Sequence, residues 1–197
     1  MTATVLIVPG LRDHVAQHWQ TLLAAEWPGA QSVPPMGRED LDCARRVQAI
    51  EAAVSAMKGR VILVAHSGGC IMVAHWAQTT MHAARIQGAL LATPPDFEAP
   101  MPEGYPSIEA LRVGGWLPVP RRPLPFQSLV ALSENDPLGR LNAIQKLAHD
   151  WQAETVNLGQ VGHLNPASGY GPWPQAKDLL TRFSEITFTH NNLLETT

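Results

Sequence analysis

The chain reads as an α/β protein, a mostly parallel sheet with helices on both faces that stack as a three-layer sandwich. Three observations predict this. Apolar and β-branched runs of five to seven residues recur at 4–8, 61–65, 86–92 and 127–132, without the alternation of a sheet that has one wet face. Longer segments with apolar residues three and four apart stand between these runs, and a strand–helix alternation selects parallel pairing, since each crossover must carry a helix. The chain of 197 residues suits one domain, which buries roughly two thirds of its unfolded surface.

The elements follow in order. Residues 4–8 form a strand closed by Pro9-Gly10. Trp19, Leu22, Leu23 and Trp27 recur at helical spacing until Pro28-Gly29. Residues 30–33 give a short strand. Leu41, Ala44, Val47, Ile50, Val54 and Met57 make one apolar stripe over a helix at 41–57, with Gly59 beyond its end. A strand at 61–65, a helix at 69–80 and a strand at 86–92 come next. Residues 93–125 hold nine of the 17 prolines and little periodicity, so they form a long irregular excursion, expected to cover the pocket. A strand at 127–132, a helix at 138–151, a short strand at 155–158 and a closing helix at 172–183 complete the domain, taken as 1–186. Residues 187–197 read as a polar, loose tail.

Composition narrows the function. Net charge is −3 and no Lys/Arg cluster marks a nucleic-acid surface, so Arg45-Arg46 and Arg121-Arg122 read as solvated surface charge. Cys43 and Cys70 are too few for a disulfide framework or a four-thiolate zinc site, and reduced thiols fit a cytoplasmic protein. The run at 5–8 is too short for a signal peptide, and no stretch approaches the ~20 apolar residues of a membrane helix. Asp13, His14 and His18 form a polar cluster but lack a clear third ligand at a known metal spacing. The expectation is a cytoplasmic protein acting on a small molecule, with no nucleic acid, membrane, metal or cofactor; a protein partner is left open.

The segment at 61–70 carries the chemistry. A buried strand runs into His66-Ser67-Gly68-Gly69 and on into a helix, the pattern of a nucleophile elbow, G-x-S-x-G, with Ala65 in the place of the first glycine. Small residues are needed because the turn is sharp and neighbouring Cβ atoms otherwise collide. In such a fold the triad runs Ser, then Asp or Glu, then His, each in a loop after a later strand. Ser133-Glu134-Asn135-Asp136-Pro137 follows the strand at 127–132, and Gly162-His163 follows the last strand. The expected roles are Ser67 as nucleophile, His163 as base and Asp136 as the group that fixes the imidazole, with Glu134 in reach in principle. The oxyanion donors are expected to be the backbone N–H groups of Gly68 and Leu11. His66 reads as packing or pocket wall, Cys70 as a buried apolar residue, and Asp96 and Asp150 as less suitable acids.

On these motifs the sequence resembles the small serine hydrolases that include retinoblastoma-binding protein 9 and bacterial YdeN-like proteins, of the α/β-hydrolase superfamily. The markers are Pro9-Gly10 with His18-Trp19-Gln20, His66-Ser67-Gly68-Gly69, Ser133-Glu134-Asn135-Asp136-Pro137, and Gly162-His163-Leu164-Asn165 continuing through Ser168-Gly169-Tyr170-Gly171-Pro172-Trp173-Pro174. The resemblance spans about 4–183 and carries the triad onto Ser67, Asp136 and His163. It implies a compact α/β-hydrolase core, no cofactor, and carboxylesterase-like hydrolysis of esters or amides of small acyl groups. The chain departs from the family after Gly10, where it reads Arg12-Asp13-His14-Val15. Two alternatives remain: a catalytically silent protein-binding module, and an acyltransferase using the same triad. Leu41-Asp42-Cys43-Ala44-Arg45 ends in arginine where an L-x-C-x-E motif needs glutamate, and it reads as helical core.

Overall fold

Apolar runs without alternation become strands buried on both faces, and six strands assemble here into one sheet. A computed structural model describes residues 3–12 and 15–192, with side chains through 183. The strands are β1 (Thr4–Val8), β2 (Gln31–Ser32), β3 (Val61–His66), β4 (Ile86–Ala92), β5 (Ser128–Leu132) and β6 (Glu154–Asn157). Their order is β2-β1-β3-β4-β5-β6, and every neighbouring pair is parallel. The helices are α1 (Trp19–Glu26), α2 (Cys43–Ala56), α3 (Gly68–Ala77), α4 (Ile108–Val113), α5 (Leu141–Asp150) and α6 (Gln175–Asn192).

Side chains of successive strand residues point to opposite faces, so the sheet sorts its residues into two cores. Leu6, Leu63, Leu91 and Val130 pack with Ile50 and Val54 of α2, Ile71 of α3 and Leu147 of α5. Val5, Ile62, Leu90 and Leu129 pack on the other face with Trp19 and Leu23 of α1 and Leu180 and Phe183 of α6. The three layers are therefore α2, α3 and α5, then the sheet, then α1 and α6. No helix of the described residues is long and apolar enough to cross a membrane.

Three readings change. Arg46 is not solvated: it is 2% exposed, on the buried face of α2 with Cys43, Ile50 and Val54. Its Nε donates to the Asp40 carbonyl at 2.9 Å and its Nη2 to the Gly37 carbonyl at 2.7 Å, so the loop before α2 supplies acceptors that no local pattern announces. The excursion at 93–125 contains α4, whose Ser107 side chain accepts from the Ala110 N–H as an N-cap. It also feeds the core, for Phe97, Leu111 and Trp116 are buried and the Trp116 indole donates to the Leu41 carbonyl at 2.7 Å. Helix α6 runs to Asn192, into the segment expected to be loose, because no proline or glycine follows Pro174 to stop it.

Candidate active site

The carboxyl ends of β3, β5 and β6 converge on one spot, and each contributes a loop. Between β3 and α3, Ser67 sits at φ 55° and ψ −132°, a conformation that costs a side-chain-bearing residue about 1–3 kcal/mol and persists only when its surroundings impose it. The surroundings do so by close approach. A Cβ on Gly69 would stand 2.4 Å from the Val8 carbonyl oxygen, and one on Gly10 would stand 3.1 Å from the Ser67 Cβ. Ala65 pairs with Val8 and Leu91 in the sheet and is fully buried, so its methyl is absorbed by the core where the usual elbow has glycine.

His163 is held at both ends of its backbone. Its N–H donates to Ser168 Oγ at 3.0 Å, and its carbonyl lies 2.9 Å from His66 Nε2, which must carry the proton in that contact. The preceding Gly162 has φ 57°, and its N–H donates to Asn135 Oδ1 at 2.7 Å, tying the β6 loop to the β5 loop. The imidazole Nδ1 lies 2.8 Å from Asp136 Oδ2 and 3.0 Å from Oδ1, while Nε2 lies 2.8 Å from Ser67 Oγ. The carboxylate accepts only, so Nδ1 carries the proton and Nε2 is left to accept from the serine hydroxyl.

The other acids are engaged elsewhere. Glu134 is exposed and accepts from Asn157 Nδ2 at 2.9 Å. Asp96 pairs with Arg140 at 3.0 Å and Asp150 with Arg121 at 2.9 Å. Asp136 also accepts from the Leu138 N–H at 2.9 Å, which fixes its short side chain. His66 is pocket wall: burial first, then the neighbouring His163 and His18 rings, pushes its pKa well below the ordinary imidazole range and keeps it neutral. Burial likewise pushes the Cys70 thiol up, which leaves it unreactive.

Gly68 opens α3, where unpaired N–H groups and the helix dipole favour negative charge. The Leu11 nitrogen lies 3.5 Å from the point a Cβ on Gly68 would occupy. Among the described residues neither N–H has a protein acceptor. Asp13 and His14 of the polar cluster lie outside the described residues; His18 Nδ1 accepts from the Gln20 N–H at 3.2 Å and caps α1. Three supporting residues were missed as such in the sequence: Asn135, Ser168 and Gln20, whose Nε2 donates to the Val8 and Val64 carbonyls at 3.2 and 2.9 Å. Only Asn165-Pro166 hinted at the turn that presents Ser168. Above Ser67 and His163 opens a cavity of about 590 Å³, with Leu11, Leu41, Phe97, Met101 and Leu138 on its walls.

A parallel sheet covered on both faces, with a serine on a strained strand-to-helix turn and its imidazole and carboxylate on later loops, defines an α/β-hydrolase. The serine hydrolase family model matches residues 5–182, and the chain belongs to that family. It is 31% identical to a YdeN-like hydrolase from Pectobacterium atrosepticum, covering 93% of this chain and 91% of that one with a TM-score of 0.77. It shares the fold of the ydeN gene product of B. subtilis at 16% identity, 93% and 100% coverage and a TM-score of 0.68. The same fold recurs in Est1E from Butyrivibrio proteoclasticus, a structure with bound ferulic acid, at 12% identity, 95% and 89% coverage and a TM-score of 0.67. No curated protein is a detectable relative by sequence.

Proposed function

We propose that the protein is a carboxylesterase-like enzyme that hydrolyses esters or amides of small acyl substrates through an acyl-enzyme. The observation that carries this reading is the unbroken hydrogen-bonded line from Asp136 through His163 to Ser67 at the floor of the cavity. His163 Nε2 takes the hydroxyl proton as Ser67 Oγ bonds to the carbonyl carbon, and the carbonyl π pair moves onto oxygen. The N–H groups of Gly68 and Leu11 hold that oxyanion. On collapse the bond to the leaving group breaks, the leaving group takes the proton from the imidazolium, and the acyl group stays on Ser67. Water then repeats the sequence with His163 as base and releases the acid. Asp136 keeps the proton on Nδ1 and stabilises the imidazolium throughout. Two buried free thiols, Cys43 and Cys70, support a cytoplasmic setting.

Labelling with a fluorophosphonate tests the reading. The wild-type protein is expected to be labelled at Ser67, and Ser67→Ala to lose the label while keeping its thermal midpoint. Equal labelling of the variant overturns the assignment.

A further inference from the structure

We infer that the acyl part of the substrate carries a carboxylate, which the Arg12 guanidinium receives at the mouth of the cavity; the inference rests on Ser67 being the nucleophile. Arg12 follows the oxyanion donor Leu11 and lines the same cavity as Ser67. Its guanidinium carbon lies 4.4 Å above the Tyr105 ring, and its Nη2 makes one long bond, 3.3 Å, to the Gly104 carbonyl. A guanidinium has five N–H donors in a planar fork, so stacking fixes its plane and leaves most of its edge unused. Among the described residues no carboxylate pairs with it.

An arginine that only braced the excursion would gain from an acidic partner, and this one has none among the described residues. Arg38 lines the cavity as well and is also without a carboxylate partner among the described residues. Glu39 is the single carboxylate on the described lining, so the two guanidiniums outnumber it. The same cavity that these cations and Ser67 line has apolar walls from Leu11, Leu41, Phe97 and Met101. The cavity thus suits a short hydrocarbon chain with an anionic end, and a planar carboxylate matches the guanidinium fork in bidentate fashion.

The sheet order says which side of the scissile bond bears the charge. His163, which protonates the leaving group, comes from the loop after β6, and Leu138, Asn165 and Pro166 line the cavity on that side. The backbone of Arg12 belongs to the loop after β1, which flanks β3 on the opposite side, and its guanidinium reaches from there to Tyr105 of the segment after β4. With the leaving group directed to His163, the acyl chain extends toward Arg12.

The test compares p-nitrophenyl monoesters of glutaric, adipic and suberic acids with the same compounds methylated at the free carboxyl. For at least one chain length the wild-type kcat/KM is expected to favour the free acid roughly tenfold or more, the size of a charge-assisted hydrogen bond. That ratio is expected to fall toward one in Arg12→Gln, to invert in Arg12→Glu, and to shrink with added salt because Arg12 is exposed. A wild-type preference for the neutral esters at every length overturns the inference, as does an Arg12→Gln protein that keeps the ratio. Fluorophosphonate labelling of the same preparation separates the two claims. A labelled Ser67 without acid preference sinks the inference alone, and an unlabelled Ser67 sinks the reading beneath it.

Discussion

Asp136 and Glu134 stand two residues apart in one loop, and their hydrogen bonds give them different work. Asp136 faces His163 Nδ1, whereas Glu134 reaches across the surface to Asn157. Asp136→Asn is therefore expected to lose on the order of 10²–10⁴ in turnover, since an amide leaves the imidazole in the wrong tautomer. Glu134→Gln is expected to change turnover little, and assays of both variants on one ester check this. At this scale the sequence singles out Ser67, Asp136 and His163 because each follows a strand in the order a triad requires, and the fold brings the three side chains within hydrogen-bond reach. It does not single out Arg46. Two adjacent arginines look alike in sequence, and only the carbonyls of Gly37 and Asp40, positioned by the tertiary fold, separate the buried one from Arg45.

Among the elements, β3, β4 and β5 were legible to within a residue because turn residues bracket each apolar run. The two-residue β2 falls inside the short strand expected at 30–33, whereas the six-residue α4 is too short for periodicity to register. Helix α3 carries a consequence for acid stability. His75 near its C-terminus sits with Nε2 3.1 Å from the Trp116 carbonyl, and burial lowers its pKa, as it does that of His66 at the preceding elbow. The unfolded chain binds a proton at each imidazole below about pH 6.5, before the folded protein does, so stability falls as pH drops through that value and below. Each group contributes a slope of up to about 1.4 kcal/mol per pH unit. Thermal midpoints taken from neutral pH downward are expected to fall, and to fall less steeply in His75→Gln than in the wild type.

For the molecule as a whole, the excursion at 93–125 both lines the cavity and builds the core. Phe97, Met101 and Tyr105 face the cavity, while Leu111 and Trp116 are fully buried and Trp116 meets Phe97 edge-on at 5.5 Å. The segment is therefore not a detachable cover, and removing most of it takes part of the core with it. Trp116→Ala is expected to cost about 3–5 kcal/mol, read from the denaturant midpoint, through the cavity it leaves and the Leu41 carbonyl it strands. The proline count marked this stretch as irregular, but which of its apolar residues turn inward depends on contacts with α2 and α3 that lie far away in sequence.

The all-parallel sheet has one more consequence, for how the protein comes into being. No strand pairs with its neighbour through a tight turn, and Thr4 meets Val61 only after a whole strand–helix segment has been threaded between them. Long-range pairing of this kind makes for slow folding. Ser67 is synthesised early and its base late: His163 takes its place only once β6 has joined β5 at the edge of the sheet. The hydrogen bond between Ser67 Oγ and His163 Nε2 can therefore form only once the last strand is in register, long after the elbow itself has been synthesised.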